Sequence, residues 1–61
     1  MAANVDTSRV IDELEAALRH GESGRRYEAL AILRRWQWDR DLDEGSRRRA
    51  GSLVRAHAWR V

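Results

Sequence analysis

The segment Arg34-Arg35-Trp36-Gln37-Trp38-Asp39-Arg40 concentrates the side chains best able to do chemistry in this sequence. Guanidinium groups grip carboxylates or phosphates with two parallel hydrogen bonds. An exposed indole supplies a large apolar anchor, and Arg beside Trp is a frequent composition of binding hot spots. A second concentration, Arg47-Arg48-Arg49 with Arg55 and then Trp59-Arg60, repeats that chemistry near the other end. Recognition, not catalysis, is what these residue types offer. Neither His20 nor His57 has a nucleophile at motif spacing, and Ser8, Ser23, Ser46 and Ser52 carry no catalytic signature. His57 falls on an apolar stripe, where a packed ring is expected, and His20 suits the negative end of a helix dipole. Asp41 and Asp43 beside Gly45 read as capping and solubility, so no enzyme, metal site or cofactor is expected.

Length and composition set the frame for that chemistry. The chain has 61 residues, all twelve basic residues are Arg, and there is no Cys or Pro. One domain with a marginal core is expected. Disulfides and thiolate metal sites are excluded. No apolar run approaches the ~20 residues of a membrane span. The opening residues lack the charged-then-apolar pattern of a signal peptide, so a cytoplasmic location is expected. All-Arg basicity with nine Ala points to a GC-rich bacterial or phage genome.

The formal charge is +2, but it is unevenly placed. Residues 1–22 hold two Arg against five acids, or −3, and residues 23–61 hold ten Arg against five acids, or +5. Such polarity steers towards an acidic partner, or else lets the first helix neutralise the third.

Three helices can be read, at about 7–20, 24–38 and 44–60, with residues 1–5 as a flexible tail. Asp6 suits the first N-cap, with Val5 and Val10 as a hydrophobic staple. Val10, Ile11, Leu14, Ala17 and Leu18 form the first apolar stripe, and Gly21 is the expected left-handed stop. Ser23 is the expected cap of the second helix, whose core face is Ala29, Leu30, Ile32, Leu33 and Trp36. Its opposite face carries Tyr27, Ala31, Arg34 and Trp38. Asp41 with Glu44 resembles a capping box for the third helix, with Asp43 and Ser46 as alternatives. Ala50, Leu53, Val54, His57 and Val61 then face the core, and Arg48, Ser52, Arg55 and Trp59 face away. The fold expected is all-α: a small three-helix bundle, or a helical hairpin plus a third helix.

Shifting the second helix by 21 residues overlays the third: Arg26 on Arg47, Ala29 on Ala50, Arg34 on Arg55, Trp38 on Trp59. Either two related helices present Arg and Trp to one partner, or amphipathic helices simply share this grammar. The second is the simpler account. The stretches Arg26-Tyr27-Glu28-Ala29-Leu30-Ala31-Ile32-Leu33 and Arg47-Arg48-Arg49-Ala50-Gly51-Ser52-Leu53 also resemble the second helix of a HEAT-type repeat. That resemblance implies a helical hairpin from helices 1 and 2 and a protein-binding scaffold. Arg34-Arg35-Trp36-Gln37-Trp38 is similar to the core of lactoferricin-type antimicrobial peptides, which implies a membrane surface. Asp39 interrupts that cationic run and Trp36 belongs to the core face, so a membrane is not the expected partner.

The expected function is a protein–protein interaction module: a regulator, inhibitor or adaptor. Its partner-binding residues are Tyr27, Arg34, Trp38, Arg48, Arg55 and Trp59. The partner is a protein, plausibly acidic, or a second copy of the chain using the same surface. The alternative is a nucleic-acid-binding module that uses Arg47, Arg48, Arg49 and Arg55. Four acids between Asp39 and Glu44, and the length of that connection, count against a helix-turn-helix.

Overall fold

A computed structural model describes the backbone of residues 2–58 and the side chains of residues 6–58. Three helices follow in order: α1 (Ala2–His20), α2 (Ser23–Trp36) and α3 (Glu44–His57), with no strand among the described residues. They form an all-α three-helix bundle, with α2 packed against both neighbours and α1 meeting α3 more lightly. The longest dimension is 33 Å, close to the ~28 Å that nineteen helical residues span.

The core follows the apolar stripes. Leu18 of α1, Ala29, Leu30 and Leu33 of α2, and Ala50 and Val54 of α3 form one buried cluster. Leu14, Ala17, Trp36, Leu53 and Ala58 pack against it half-buried. Ile11 is also buried. Two stripe residues depart from expectation: Val10 and Ile32 are exposed, at a groove lined by α1 and α2 to which α3 contributes no residue. His57 is half-buried, and Val61 lies outside the described residues.

Several boundaries are corrected. α1 begins at Ala2 rather than near Thr7, so residues 2–5 are helical and Asp6 is inside the helix, not its cap. No Gly or Pro interrupts residues 2–20, and two alanines favour continuation. The side chain of Val5, the other half of the expected staple, lies outside the described side chains. Gly21 does not adopt a left-handed conformation. Its role is close approach: its N–H donates to the Ala17 carbonyl at 2.8 Å, and a Cβ there would lie 2.5 Å from that oxygen. Gly21 and Glu22 alone join α1 to α2.

α2 is capped at Glu22, without a side-chain cap bond, and Ser23 is its first helical residue. The helix stops at Trp36, two residues early. Trp38 N–H donates to the Arg35 carbonyl at 3.2 Å and Asp39 N–H to the Trp36 carbonyl at 3.1 Å, a tightened turn. Asp39 Oδ1 then accepts from the Asp41 N–H at 2.9 Å, which diverts the chain from helix. Asp43 is the cap of α3, of the three options offered by the sequence. Its Oδ2 accepts from the Ser46 N–H at 3.0 Å and its Oδ1 from the Ser46 hydroxyl at 2.7 Å. These bonds hold the Asp43 carboxyl below the usual Asp value, the Ser46 hydroxyl contributing most. α3 is described to His57, with Ala58 as its C-cap. The remainder of the expected helix, to about residue 60, lies outside the described residues.

The 21-residue correspondence extends to the architecture. α2 starts at Ser23 and α3 at Glu44, and they end at Trp36 and His57, so both boundaries are offset by 21. Pairing residues 23–37 with 44–58 in that register, burial agrees everywhere except at three pairs. Those are Arg25/Ser46, Glu28/Arg49 and Ile32/Leu53, exposed in α2 and half-buried in α3.

Candidate functional site

Where α2 turns away after Trp36, the chain leaves Gln37 and Trp38 beside the first half of α3. Their neighbours there are Glu44, Arg47 and Arg48 on one turn and Gly51, Ser52 and Arg55 on the next, and together they line a shallow concave surface. Its floor exists because Gly51 has no side chain. A Cβ there would sit 3.2 Å from Gln37 Oε1 and 3.5 Å from Arg55 Nη1. Trp38 stands at this cleft 78% exposed. An indole left in water beside guanidinium groups is an uncovered apolar anchor.

The charges of the cleft are fixed to different degrees. Arg47 is tied into the fold: its Nη1 donates to the Leu42 carbonyl at 2.7 Å and the Asp39 carbonyl at 3.4 Å, fastening the connection to α3. Arg48 pairs with Glu44 at 3.3 Å, but both side chains are largely exposed. Such a pair contributes under about 1 kcal/mol and exchanges readily for a partner's carboxylate. Arg55 is exposed and makes no ion pair among the described residues. The cleft therefore carries net positive charge, three Arg against one Glu, with Arg48 and Arg55 exposed to solvent.

Arg49 points elsewhere. Its Nη2 donates to Asp12 Oδ1 and, at 3.0 Å, to Glu15 Oε1, bridging α3 to α1. The hydrogen bond to Asp12, then that to Glu15, holds the guanidinium above its ordinary value. Glu15 also pairs with Arg19 at 3.0 Å. The acidic first helix thus neutralises part of the third within the fold.

Of the six partner-binding residues read from the sequence, Trp38, Arg48 and Arg55 are brought together in the cleft. Tyr27 and Arg34 are exposed on α2 but do not line it. Tyr27 lies nine residues before Trp36, the last residue of α2, roughly 14 Å along the helix. Trp59 lies outside the described residues. Trp38 also sits in the turn rather than on a helical face, a correction that follows from the early end of α2. Of the four Arg in the nucleic-acid alternative, Arg48 and Arg55 share the cleft with Arg47, and Arg49 faces α1. Sequence reasoning missed Gln37, Gly51 and Ser52. A glycine inside a helix costs about 1 kcal/mol relative to Ala, and its presence at position 51 was the available signal of a close approach.

Among the described residues, no three His, Asp or Glu side chains are placed to hold a metal ion, and no helix is long and apolar enough to cross a membrane. The chain matches no protein-family model, no curated protein and no solved structure.

Proposed function

We propose that this chain is a small protein–protein interaction module, a regulator, inhibitor or adaptor, that binds an acidic protein partner through the cleft of Trp38, Arg48 and Arg55. The observation that carries the reading is the exposure of Trp38 beside Arg55, which makes no ion pair among the described residues, and Arg48, held only by an exposed pair with Glu44. Burial of the indole supplies affinity, and Arg48 and Arg55 select carboxylates by paired hydrogen bonds. A 61-residue fold with a small core also gains stability from a bound partner. The resemblance of α1–α2 to a HEAT-type hairpin favours the same class of scaffold. All-Arg composition fits a GC-rich bacterial or phage source, and the cytoplasm is the proposed place of action.

Nucleic-acid binding is the weaker reading. Arg47 is engaged with backbone carbonyls, Arg49 with two carboxylates and Arg48 with Glu44, so of the four Arg only Arg55 makes no ion pair or hydrogen bond among the described residues. The two readings separate in a capture experiment from nuclease-treated lysate of the source cell, using the immobilised chain. The proposal expects a protein retained after nuclease treatment and lost with Trp38→Ala. It also expects retention to fall only modestly with salt, since phosphate contacts weaken log-linearly. Retention that disappears with nuclease, or that survives Trp38→Ala unchanged, contradicts it.

A further inference from the structure

On the side of α2 turned away from the cleft, α1 and α2 leave a groove. Val10 and Ile32, 37% and 38% exposed, both line it. Arg25, Glu28, Ile32 and Arg35 follow one another along α2, with Asp39 in the turn after it; Arg25, Glu28 and Ile32 line the groove, and Ile32, Arg35 and Asp39 line an adjoining hollow that shares Ile32 with it. A spacing of three and four keeps the four helical residues on one stripe, and Asp39, half-buried in the turn, extends its line past Arg35. Arg25, Glu28 and Arg35 make no ion pair among the described residues.

The charge order along this stripe is antisymmetric about Ile32. Seven residues before it stands Arg25, and seven after it Asp39; four before stands Glu28, and three after it Arg35. A two-fold axis through Ile32 reverses the stripe. It sets Glu28 against Arg35 of the partner subunit and Arg25 against Asp39 of the partner subunit, each pair occurring twice. Ile32 and Val10 then cover their own copies at the centre. Glu13, on the α1 wall of the groove, adds a second carboxylate near the level of Glu28. The Arg/Trp cleft has no such property, because three Arg face one Glu there and two copies would repel.

We propose that the groove between α1 and α2 is the interface of a symmetric homodimer centred on Ile32. The pattern identifies the occupant as a second copy, since one stripe provides both signs in the order its own reversal requires. The dimer leaves the Trp38 cleft of each subunit open, so it does not depend on the function proposed for that cleft.

Sedimentation equilibrium of the full chain tests the interface. The wild type is expected to follow a reversible equilibrium between 7.1 kDa and twice that mass. Glu28→Arg and Arg35→Glu each place like charges together twice, weakening the dimer on the order of tenfold or more. The double variant, which exchanges the two signs, is expected to restore wild-type association. Circular dichroism checks that helix content is retained, and both positions are exposed. Ile32→Cys gives a second readout: in a chain without cysteine it is expected to form a disulfide-linked dimer on oxidation. A wild type that stays monomeric to millimolar concentration, an assembly larger than a dimer, or a double variant no better than the single ones overturns the proposal.

Discussion

Glu28 of α2 and Arg49 of α3 occupy the same place in two helices of equal length, yet one faces solvent and the other is locked to α1. The same contrast holds for Ile32 against Leu53. Arg25 against Ser46 is the third such pair, and at the other pairs of the 21-residue register the two helices bury alike. The difference lies in what covers them: α3 rests its stripe on α1, while the corresponding stripe of α2 opens onto the groove. One amphipathic pattern therefore yields a closed face in one setting and a contact face in the other. Where neither helix is covered, at the turn between them, the Arg/Trp cleft forms.

The largest effects test the part the helices share. Leu33 is fully buried, and Leu33→Ala is expected to cost ~2–5 kcal/mol, most of the stability of a domain this small. Val54, its counterpart, has fewer atoms to lose and 9% exposure, so Val54→Ala is expected to cost about 2 kcal/mol. Urea unfolding of both variants measures the order, and a larger loss at Val54 would break the equivalence.

Glycines sharpen the contrast next. At Gly21 a Cβ meets backbone oxygen at 2.5 Å, whereas at Gly51 the nearest atom is the end of a flexible Gln37 side chain at 3.2 Å. Gly21→Ala is expected to destabilise by at least ~1 kcal/mol. Gly51→Ala is expected to stabilise by up to ~1 kcal/mol through helix propensity, while narrowing the cleft floor. Opposite signs in the two melting temperatures are the prediction.

Arg49→Glu imposes on α3 the residue that α2 carries at the same place. Three acids then meet at the α1–α3 contact, and a loss of about 1 kcal/mol is expected, diminishing with salt because the site is partly exposed. A loss unaffected by salt would assign Arg49 a packing role instead.

The smallest effect concerns the caps. Asp43 is bonded to Ser46, whereas Glu22 makes no side-chain cap bond. The Asp43 carboxyl is held below its unfolded value, so its contribution is present above the ordinary Asp range and is lost as pH falls through the lowered value. Acid titration followed by circular dichroism is expected to lose this increment in wild type but not in Asp43→Ala.

Much of this arrangement was legible in the sequence, because it follows from spacing. The three apolar stripes and the shared face of Arg48 and Arg55 derive from helical periodicity, whereas Trp38 joins them from the turn after α2, where periodicity does not place it. The start of α1 was not legible, since Asp6 is as acceptable within a helix as at its cap and nothing before it breaks the helix. The end of α2 depended on Asp39 bonding back to the Asp41 backbone, a local competition that periodicity does not register. Ile32 sat correctly on an apolar stripe. Its exposure depends on which side α3 occupies, a matter of packing between helices that the spacing within one helix does not register.

The central claim is that two separate faces remain for contact, the α2 stripe for a second copy and the Trp38 cleft for another protein. Sedimentation equilibrium of Trp38→Ala beside Arg35→Glu tests it most directly. The account predicts that Trp38→Ala dimerises as the wild type does and that Arg35→Glu is monomeric at the same concentration. A monomeric Trp38→Ala with a dimeric Arg35→Glu would place self-association on the cleft and contradict the account.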